Sequence, residues 1–431
     1  MCGERTTMVV VVLIALLVSG CRLQSDLPVP ASVTPAPETE QPPASTPTAV
    51  PTTEPPTSTT LSPTTTSVPA EPEVTEPSPN PTRVVPPADA VDLPAGFGIS
   101  VFESGLRDPR MMAVGPDGQL YVAERGAGRI VRLPDRDSDG VSDGLEVVFS
   151  GLNAPSSIAF YADGSLYVGE TTRVVRLSEP DADGAFTLRE VIVDGLPSGG
   201  HSTRTVLFSP DYAWLFVSVG SSCNVCLESD ARRATIVRYT PEGQDETIFA
   251  VGLRNAVGIT FRPGTDELWA TNNGRDWLGD DSPPETVYWV REGSDAGWPR
   301  CHAGRIIDPD HGRPGDCDGV AVPEVELQAH SAPLGLVFYD GEQFPEEYRG
   351  SLFVAFHGSW NRSTPTGYKV VRVPMDGGSP GVVTDFAAGW LRSIGARWGR
   401  PVDVVVGVEG SLFVSDDAGG VIYRIFYHSD R

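Results

Sequence analysis

One short pattern recurs six times in the second part of the chain and constrains the fold more than any other feature. Each copy is an apolar strand that starts with a leucine and an aromatic residue, and the leucines are Leu120, Leu166, Leu215, Leu268, Leu352 and Leu412. A second apolar strand and a turn such as Asp117-Gly118 precede each copy. Repeats of about 40 to 50 residues built from short strands are typical of β-propellers. We therefore predict an all-β fold, a six-bladed β-propeller, with insertions after the fourth and fifth copies.

The strands before these turns share one register and would be the innermost strands of the blades. They read PRMMAV, PSSIAF, TRTVLF, AVGITF, PLGLVF and PVDVVV. The residue pairs just before them should lie around the central axis: Arg107-Asp108, Asn153-Ala154, His201-Ser202, Arg254-Asn255, Ser331-Ala332 and Gly399-Arg400. His201 is thereby expected beside Arg254, Asn255 and Arg400 at the mouth of the funnel, the usual concave site of such folds.

This group of side chains suits a planar anion with a proton to be removed nearby. The histidine would act as a base, and the two arginines would hold the anion. The alternative is that these side chains only satisfy loop carbonyls.

The chain before the repeats has two segments of different composition. Residues 1–21 contain one arginine, an apolar run from Met8 to Val18 and a final Cys21, as in a lipoprotein signal peptide. Residues 22–90 are rich in Pro, Thr and Ser and lack aromatic residues, which predicts a disordered linker. The propeller domain would span residues 91–431. Cleavage before Cys21 would leave a lipid-anchored, extracytoplasmic protein on the cell surface or periplasmic face, and the alternative is an uncleaved membrane anchor.

Charge and cysteine content narrow the partners and the compartment. The formal net charge is −25 and the single lysine is Lys369, so nucleic acid is excluded as a partner and membrane contact is expected through the lipid alone. Four cysteines remain beyond the signal and the lipidation site. In an oxidising compartment they would form two disulfides, most simply Cys223 with Cys226 and Cys301 with Cys317. A redox-active C-x-x-C pair at Cys223 and Cys226 is the alternative.

The stretch DRDSDGVSDGLE, residues 135–146, has the spacing of a calcium-binding EF loop. Its ligands would be Asp135, Asp137, Asp139, the carbonyl of Val141, Asp143 and Glu146. The flanking segments read as strands, so calcium would stiffen a hairpin; a solvated acidic turn is the alternative. A second stretch, TNNGRDWLGDDSPPE, offers carbonyls and carboxylates suited to a second hard cation at Gly274, Arg275, Asp280, Asp281 and Glu285.

Several motifs in order, GHSTRTVLFS, GLRNAVGI, AHSAPLGLVFY, FHGSWNRSTPTGYKVVRV and WGRPVDV, resemble the soluble pyrroloquinoline quinone (PQQ) dependent glucose/sorbosone dehydrogenases, especially the sorbosone dehydrogenase-like branch. The resemblance implies that His201 is the general base and that Arg254, which would stabilise charge on the quinone oxygen, and Asn255 contact the carbonyl end of PQQ. It also implies that Arg400 pairs with the PQQ carboxylates. The carbonyls of Gly274 and Arg275 would hold a calcium ion that polarises the cofactor.

The chain departs from that family at two places. The family's glucose dehydrogenases carry aromatic side chains beside the substrate where this chain has residues 327–330, Leu-Gln-Ala-His. The family's cofactor lysine has no secure match, and Arg362 and Lys369 are both candidates for its role.

The expected activity is oxidation of a small-molecule sugar or sugar aldehyde with PQQ and Ca²⁺, with electrons passing to an unidentified acceptor. Two other functions stay open. One is a non-catalytic propeller that binds carbohydrate or protein at the same mouth. The other is a calcium-dependent lactonase-type propeller, which needs acidic ligands at the axis, where the register supplies only Asp108.

Overall fold

The computed structural model describes residues 90–392 and 395–428. The predicted signal peptide, lipidation at Cys21 and, except for Ala90, the predicted linker lie outside the described residues. Within the described ranges, no helix has both the length and the apolar character needed to cross a membrane.

Six antiparallel sheets confirm the six-bladed propeller. From the inner to the outer strand, the first three blades contain Pro109–Val114, Leu120–Glu124, Arg129–Leu133 and Glu146–Ser150; Ser157–Phe160, Leu166–Glu170, Arg173–Pro180 and Phe186–Val193; Val206–Phe208, Leu215–Val219, Thr235–Tyr239 and Thr247–Val251. The last three contain Ile259–Phe261, Leu268–Asn272, Glu285–Val290 and Val325–Leu327; Pro333–Phe338, Leu352–Phe356, Lys369–Val373 and Thr384–Ala388; Pro401–Val406, Leu412–Asp416, Val421–Tyr427 and Phe97–Ser104.

The smaller elements are attached to this ring. They are Ser294–Asp295, which pairs in parallel with the outer strand of blade 3, the two-stranded pairs Cys301–His302 with Ile306–Ile307 and Met375–Asp376 with Ser379–Pro380, and a 3₁₀ helix at Glu346–Tyr348.

The recurring leucine-aromatic pattern marks the second strand of each blade. All five residues of each of these six strands are buried. A strand covered on both faces by neighbouring blades has no solvent face, so its sequence is nearly continuous in apolar residues. This burial explains why the second strands gave the clearest repeat in the sequence.

Blade 6 closes the ring with a strand from the start of the domain. Phe97–Ser104 pairs antiparallel with Val421–Tyr427, with Phe97 opposite Tyr427 and Ser104 opposite Val421. The outer strand of the last blade therefore precedes the first blade in sequence, and the six-copy pattern gave no signal for it.

Neighbouring blades approach closely along the inner strands. The Thr271 hydroxyl donates to the Leu334 carbonyl at 2.8 Å, and the Ser415 hydroxyl donates to the Arg110 carbonyl at 2.9 Å. A Cβ atom on Gly258 would lie 2.1 Å from the Leu334 carbonyl oxygen, so only glycine permits this approach. Hydrogen bonds from side-chain hydroxyls to main-chain carbonyls, and close backbone approach at Gly258, thus join the blades in addition to apolar packing.

Because the strands run antiparallel within each blade, two sets of loops meet at one end of the propeller. These are the loops that enter each inner strand and the loops that join the second strand to the third. The long connections at residues 220–234, 273–284 and 357–368 belong to this end.

Candidate active site

A recurring contact positions the loops that enter the inner strands. A buried polar side chain at the end of the second strand accepts a hydrogen bond from a main-chain N–H of that loop. Asn272 Oδ1 accepts from Asn255 N at 3.1 Å, Asp416 Oδ1 from Arg400 N at 2.8 Å, and Glu124 Oε1 from Arg107 N at 2.7 Å. The second strand of a blade thereby fixes the residues that face the axis.

These loops surround a cavity of about 250 Å³ at the mouth of the propeller. The structure brings His201, Arg254, Asn255 and Arg400 together in its lining, as the register of the inner strands predicted. The other lining residues are Arg110, Thr203, Val257, Asn273, Gly274, Asp276, Glu285, His330, Ala332, Leu334, His357, Gly358, Trp360 and Asn361.

His201 is held in one tautomer by the loop that follows the second strand of blade 3. Its Nδ1 lies 3.0 Å from Ser221 Oγ and 3.2 Å from the Ser221 carbonyl oxygen. The Ser221 hydroxyl donates its own hydrogen to the Cys223 carbonyl at 2.7 Å, so both groups facing Nδ1 act as acceptors. This network assigns the proton to Nδ1 and leaves a lone pair on Nε2.

Burial keeps this imidazole neutral. Desolvation, assisted by the charge of Arg254, lowers the pKa of His201 to about 4. His201 is therefore an unprotonated imidazole with a fixed orientation at neutral pH.

Arg254 is buried, and its position is set by Asn224 and Asp276. Its Nε donates to the Asn224 carbonyl at 2.9 Å, and its NH2 donates to Asn224 Oδ1 at 3.0 Å and to Asp276 Oδ2 at 2.8 Å. The Asn224 side chain also bonds the main chain of Asp276 in both directions. Asn224 thus fixes an arginine and the carboxylate that balances its charge.

Arg400 lies across the cavity and is only partly satisfied by the protein. Its Nε donates to the His357 carbonyl at 3.1 Å and its NH2 donates to the Gly358 carbonyl at 3.4 Å. Among the described residues its NH1 has no hydrogen-bond partner. This group can receive an anionic oxygen in the cavity.

A second histidine lies beside Arg400. His357 Nε2 is 2.8 Å from Asp417 Oδ2, which also accepts from Arg110 NH1 at 2.6 Å. Burial lowers the pKa of His357 to about 4, and hydrogen bonding to His357 holds the pKa of Asp417 below its usual range. His357 is therefore a neutral donor to an ionised aspartate.

Glu285 adds a buried carboxyl group between blades 4 and 5. It accepts from Gly274 N at 2.5 Å and from Ala332 N at 3.4 Å. Burial raises its pKa to about 7, against the opposing effects of these N–H groups and of Arg254. This carboxyl group can change its charge near neutral pH.

Sequence reasoning missed Asp276, Asp417 and the further histidines of this site, and it named Glu285 only as a candidate cation ligand. It considered the residues before each inner strand, where only Asp108 is acidic, whereas Asp276 and Asp417 belong to the other set of loops and Glu285 begins the third strand of blade 4. The signal that could have found them is the polar residue that often ends the second strand, because the chain enters the cavity immediately after it.

Two candidates for the cofactor lysine are placed away from the cavity lining. Lys369 starts the third strand of blade 5, and its Nζ contacts Asp385 at 2.6 Å. Arg362 contacts Asp281 at 2.7 Å beside the rim. The prediction that one of them lies in the site is not borne out by the cavity lining, which contains neither residue: each side chain instead pairs with an exposed carboxylate, Asp385 or Asp281.

The predicted cation ligands of blade 4 do not form one cluster. Gly274 lines the cavity, and neither its carbonyl nor that of Arg275 accepts a hydrogen bond within the described residues. The Arg275 side chain instead contacts Asp308 and, at 2.6 Å, Asp310. His302 is buried, with its Nε2 2.8 Å from Asp308 Oδ2.

The acidic loop of blade 1 lies at the opposite end of the propeller. Carboxylate oxygens of Asp135, Asp137 and Asp139 lie within 4.8 Å of one another. Glu146 instead pairs with two arginines, with Arg132 NH2 at 2.6 Å, and Asp143 accepts from the Arg136 main chain at 2.7 Å. The structure therefore gathers three of the six predicted ligands and directs two others to arginine residues.

The structure joins Cys223 to Cys226 and Cys301 to Cys317, the pairing favoured from the sequence. The first disulfide encloses Asn224 and lies two residues after Ser221, within the connection at residues 220–234. The second lies in the long connection of blade 4.

A family model described as TrAA12-like matches residues 91–287 and 315–428. The chain belongs to this family. Among curated proteins, a pyrroloquinoline quinone-dependent pyranose dehydrogenase of Coprinopsis cinerea is 27% identical to this TrAA12-like chain over 408 residues, covering 79% of this chain and 55% of that protein. An uncharacterized protein of Borreliella burgdorferi is 35% identical over 231 residues, covering 53% of this chain and 61% of that protein. The chain thus spans less than two thirds of either relative.

Solved structures share the fold of this TrAA12-like chain. The calcium structure of a Trichoderma reesei AA12 enzyme has a TM-score of 0.69 at 21% identity, covering 78% of this chain and 97% of that one. The holo PQQ domain of the Coprinopsis cinerea pyranose dehydrogenase has a TM-score of 0.68 at 24% identity with the same coverage. The PQQ-bound aldose sugar dehydrogenase of Streptomyces coelicolor has a TM-score of 0.58 at 20% identity, covering 78% and 99%. The resemblance to soluble PQQ-dependent sugar dehydrogenases is confirmed.

Proposed function

We propose that this chain is a PQQ-dependent oxidoreductase that acts on a sugar or sugar aldehyde. The observation that carries the proposal is the cavity histidine, His201, whose Nδ1–H is committed to Ser221 and whose Nε2 is left as a base in the same cavity as Arg254 and Arg400. The names of the curated relative and of the shared-fold structures point to the same chemistry.

The groups in the cavity fit a planar, anionic quinone. Arg400 NH1 and the Asn255 side chain have no hydrogen-bond partner among the described residues, so both are available to carboxylate and carbonyl oxygens. Bound PQQ would supply the two-electron acceptor for a hydride from the substrate. The free carbonyls of Gly274 and Arg275 are suited to a calcium ion.

The protein's own part in the reaction is to remove a proton and to hold charge. Nε2 of His201 would take the substrate hydroxyl proton, and Ser221 keeps the ring in the required tautomer. Because its pKa is about 4, His201 is ready to accept a proton throughout the neutral range. Arg254, fixed by Asn224 and Asp276, would stabilise negative charge that develops on an oxygen in the cavity.

The proposal extends to features outside the cavity. Calcium would bind the acidic loop of blade 1 through Asp135, Asp137 and Asp139 and stiffen its hairpin. The domain would be held outside the cytoplasm by lipid on Cys21. Electrons would leave to an acceptor that the chemistry of the cavity does not specify.

The test is dye reduction by the purified protein, with and without added PQQ and calcium, over a panel of aldoses and sugar aldehydes. Activity should require both additions. His201→Gln should abolish turnover and leave PQQ binding, followed by absorbance titration, within about twofold of the parent. Arg400→Ala should mainly weaken PQQ binding.

Thr203→Ala serves as the matched control, because Thr203 lines the same cavity and does not titrate. Turnover by His201→Gln at the parent rate would contradict the proposed base. No spectral sign of PQQ binding would favour a propeller that only binds carbohydrate or protein.

A further inference from the structure

Two tryptophans at the rim of the cavity are largely exposed. Trp277 and Trp360 are each 65% exposed, whereas Trp269, Trp298 and Trp390 are buried. Their ring centroids are 5.2 Å apart and their planes meet at 88°. We call this pair the indole corner.

The indole corner is formed by two long connections at the same end of the propeller. Trp277 belongs to the connection at residues 273–284 of blade 4, and Trp360 to the connection at residues 357–368 of blade 5. Trp360 also lines the cavity. A molecule that extends out of the cavity on this side therefore meets both rings.

Polar contacts between the two connections hold the corner in place. Asn361 Nδ2 donates to Asp276 Oδ1 at 2.8 Å, Arg362 NH2 contacts Asp281 Oδ1 at 2.7 Å, and the Ser363 main chain donates to Asp280 Oδ1 at 3.1 Å. Each tryptophan is the direct sequence neighbour of one of these residues. Hydrogen bonds between the two connections thus fix the main chain that carries both indoles.

Trp277 has a further feature that favours a ligand at this place. Its main chain has a φ of 71°, in the left-handed region that large side chains seldom adopt. A bulky apolar residue in that conformation and in water improves neither the packing nor the solubility of the chain. Contact with a ligand would remove its exposed indole from water.

The chemistry of the corner suits a sugar ring. The C–H face of a pyranose packs against the electron-rich face of an indole, and hydroxyl groups at the ring edge need polar partners. Asp280 and Asp281 supply such partners in the same connection as Trp277, and Asp281 is largely exposed. A cavity of about 250 Å³ is smaller than the usual ligand pocket, so a longer substrate must extend over the rim.

We propose that the indole corner is a carbohydrate-binding subsite for the sugar unit next to the one that enters the cavity, so that the substrate is an oligosaccharide or glycan chain. The proposal rests on the proposed function for the identity of the reacting unit. It places aromatic sugar contacts on two loops other than residues 327–330, the place where the family's glucose dehydrogenases carry theirs.

Calorimetric titration of the purified protein with reducing mono-, di- and tetrasaccharides of glucose, mannose, galactose and N-acetylglucosamine tests the proposal without cofactor or turnover. At least one tetrasaccharide should bind about tenfold or more tightly than its monosaccharide. Trp277→Ala and Trp360→Ala should each remove most of this gain, and Trp277→Ala, outside the cavity lining, should leave monosaccharide affinity within about twofold. Trp277→Phe and Trp360→Phe should retain part of it.

Tyr212→Ala is the matched control. Tyr212 is an exposed aromatic residue with a positive φ in a turn at the opposite end of the propeller. Equal affinity for all chain lengths, or an equal loss in Tyr212→Ala, overturns the subsite. Tryptophan variants that slow reduction of a protein electron acceptor without changing sugar affinity also overturn it and assign the corner to that acceptor.

The subsite and the proposed chemistry can fail separately. Length-dependent binding through the corner together with turnover that does not need His201 supports the subsite and refutes the proposed base. His201-dependent oxidation of a monosaccharide, with no effect of chain length on binding, supports the function and refutes the subsite.

Discussion

The lowered pKa of His201 predicts how the stability of the protein depends on pH. The pKa is about 4 in the folded protein, because of burial and the nearby Arg254, and about 6.5 in an unfolded chain. Between these values the unfolded chain binds a proton that the folded protein does not, so acidification favours unfolding. For one histidine with these two pKa values, lowering the pH from 7 to 5 removes about 2 kcal/mol from the free energy of unfolding.

The perturbation that isolates this contribution is His201→Gln, which keeps a side-chain donor for Ser221 and does not titrate. Denaturant unfolding followed by fluorescence at pH 7, 6 and 5 measures the free energy of unfolding at each pH. Between pH 7 and 5, the change in the free energy of unfolding should be about 2 kcal/mol more favourable in the variant than in the parent, whatever the sign of the parent's own change. Thr203→Ala, in the same cavity, should show the parent's change.

An equal change in the free energy of unfolding between pH 7 and 5 in the parent and in His201→Gln would refute the reasoning. The imidazole would then have the same pKa in the folded and unfolded protein, and it would be largely protonated at pH 5. The cavity would then not keep the imidazole neutral, and burial would not lower the pKa of His201.

Three further variants test other parts of the structure. Asn224→Ala should lower the free energy of unfolding by about 1 to 3 kcal/mol, measured by denaturant titration, because it leaves buried donors of the cavity without their acceptor. Changing Cys301 and Cys317 together to serine should cost about 3 kcal/mol in the same assay, because the disulfide closes a loop with a sequence separation of 16. Asp403→Asn keeps an acceptor for Met112 N but removes a carboxyl whose pKa burial raises to about 7, so the variant should lose less stability than the parent when the pH rises from 5 to 8.

The ring of blades was predictable because its determinants are local. Turn residues, alternating strands and second strands that are buried at every position all repeat within one blade, so a single register was sufficient to place His201 next to Arg254 and Arg400. The closing strand Phe97–Ser104 was not found, because it precedes the first repeat and pairs with the far end of the chain.

The rest of the site depends on which loops of different blades meet, which no local pattern specifies. Asp276 contacts Arg254 of its own blade but also Asn224 of blade 3 and Asn361 of blade 5. Burial of loop residues is equally hard to predict. The residues around His302 in the sequence are rich in Gly, Pro and Asp, yet His302 is buried against Asp308. Composition describes a loop as polar, but only the fold shows whether that loop is covered.

The titratable groups near the axis act on stability in opposite directions, and this sets how the pH experiments must be interpreted. His201 and His357 have pKa values of about 4, so each lowers the free energy of unfolding as the pH falls from 6.5 to 4. Burial raises the pKa values of Glu285 and Asp403 to about 7, so each of these raises the free energy of unfolding as the pH falls through the same range. Each shift corresponds to about 3 to 4 kcal/mol, so the four contributions nearly cancel in the parent. A flat pH profile of the parent is therefore compatible with large individual shifts, and the decisive observation is that His201→Gln and Asp403→Asn change the profile with opposite signs.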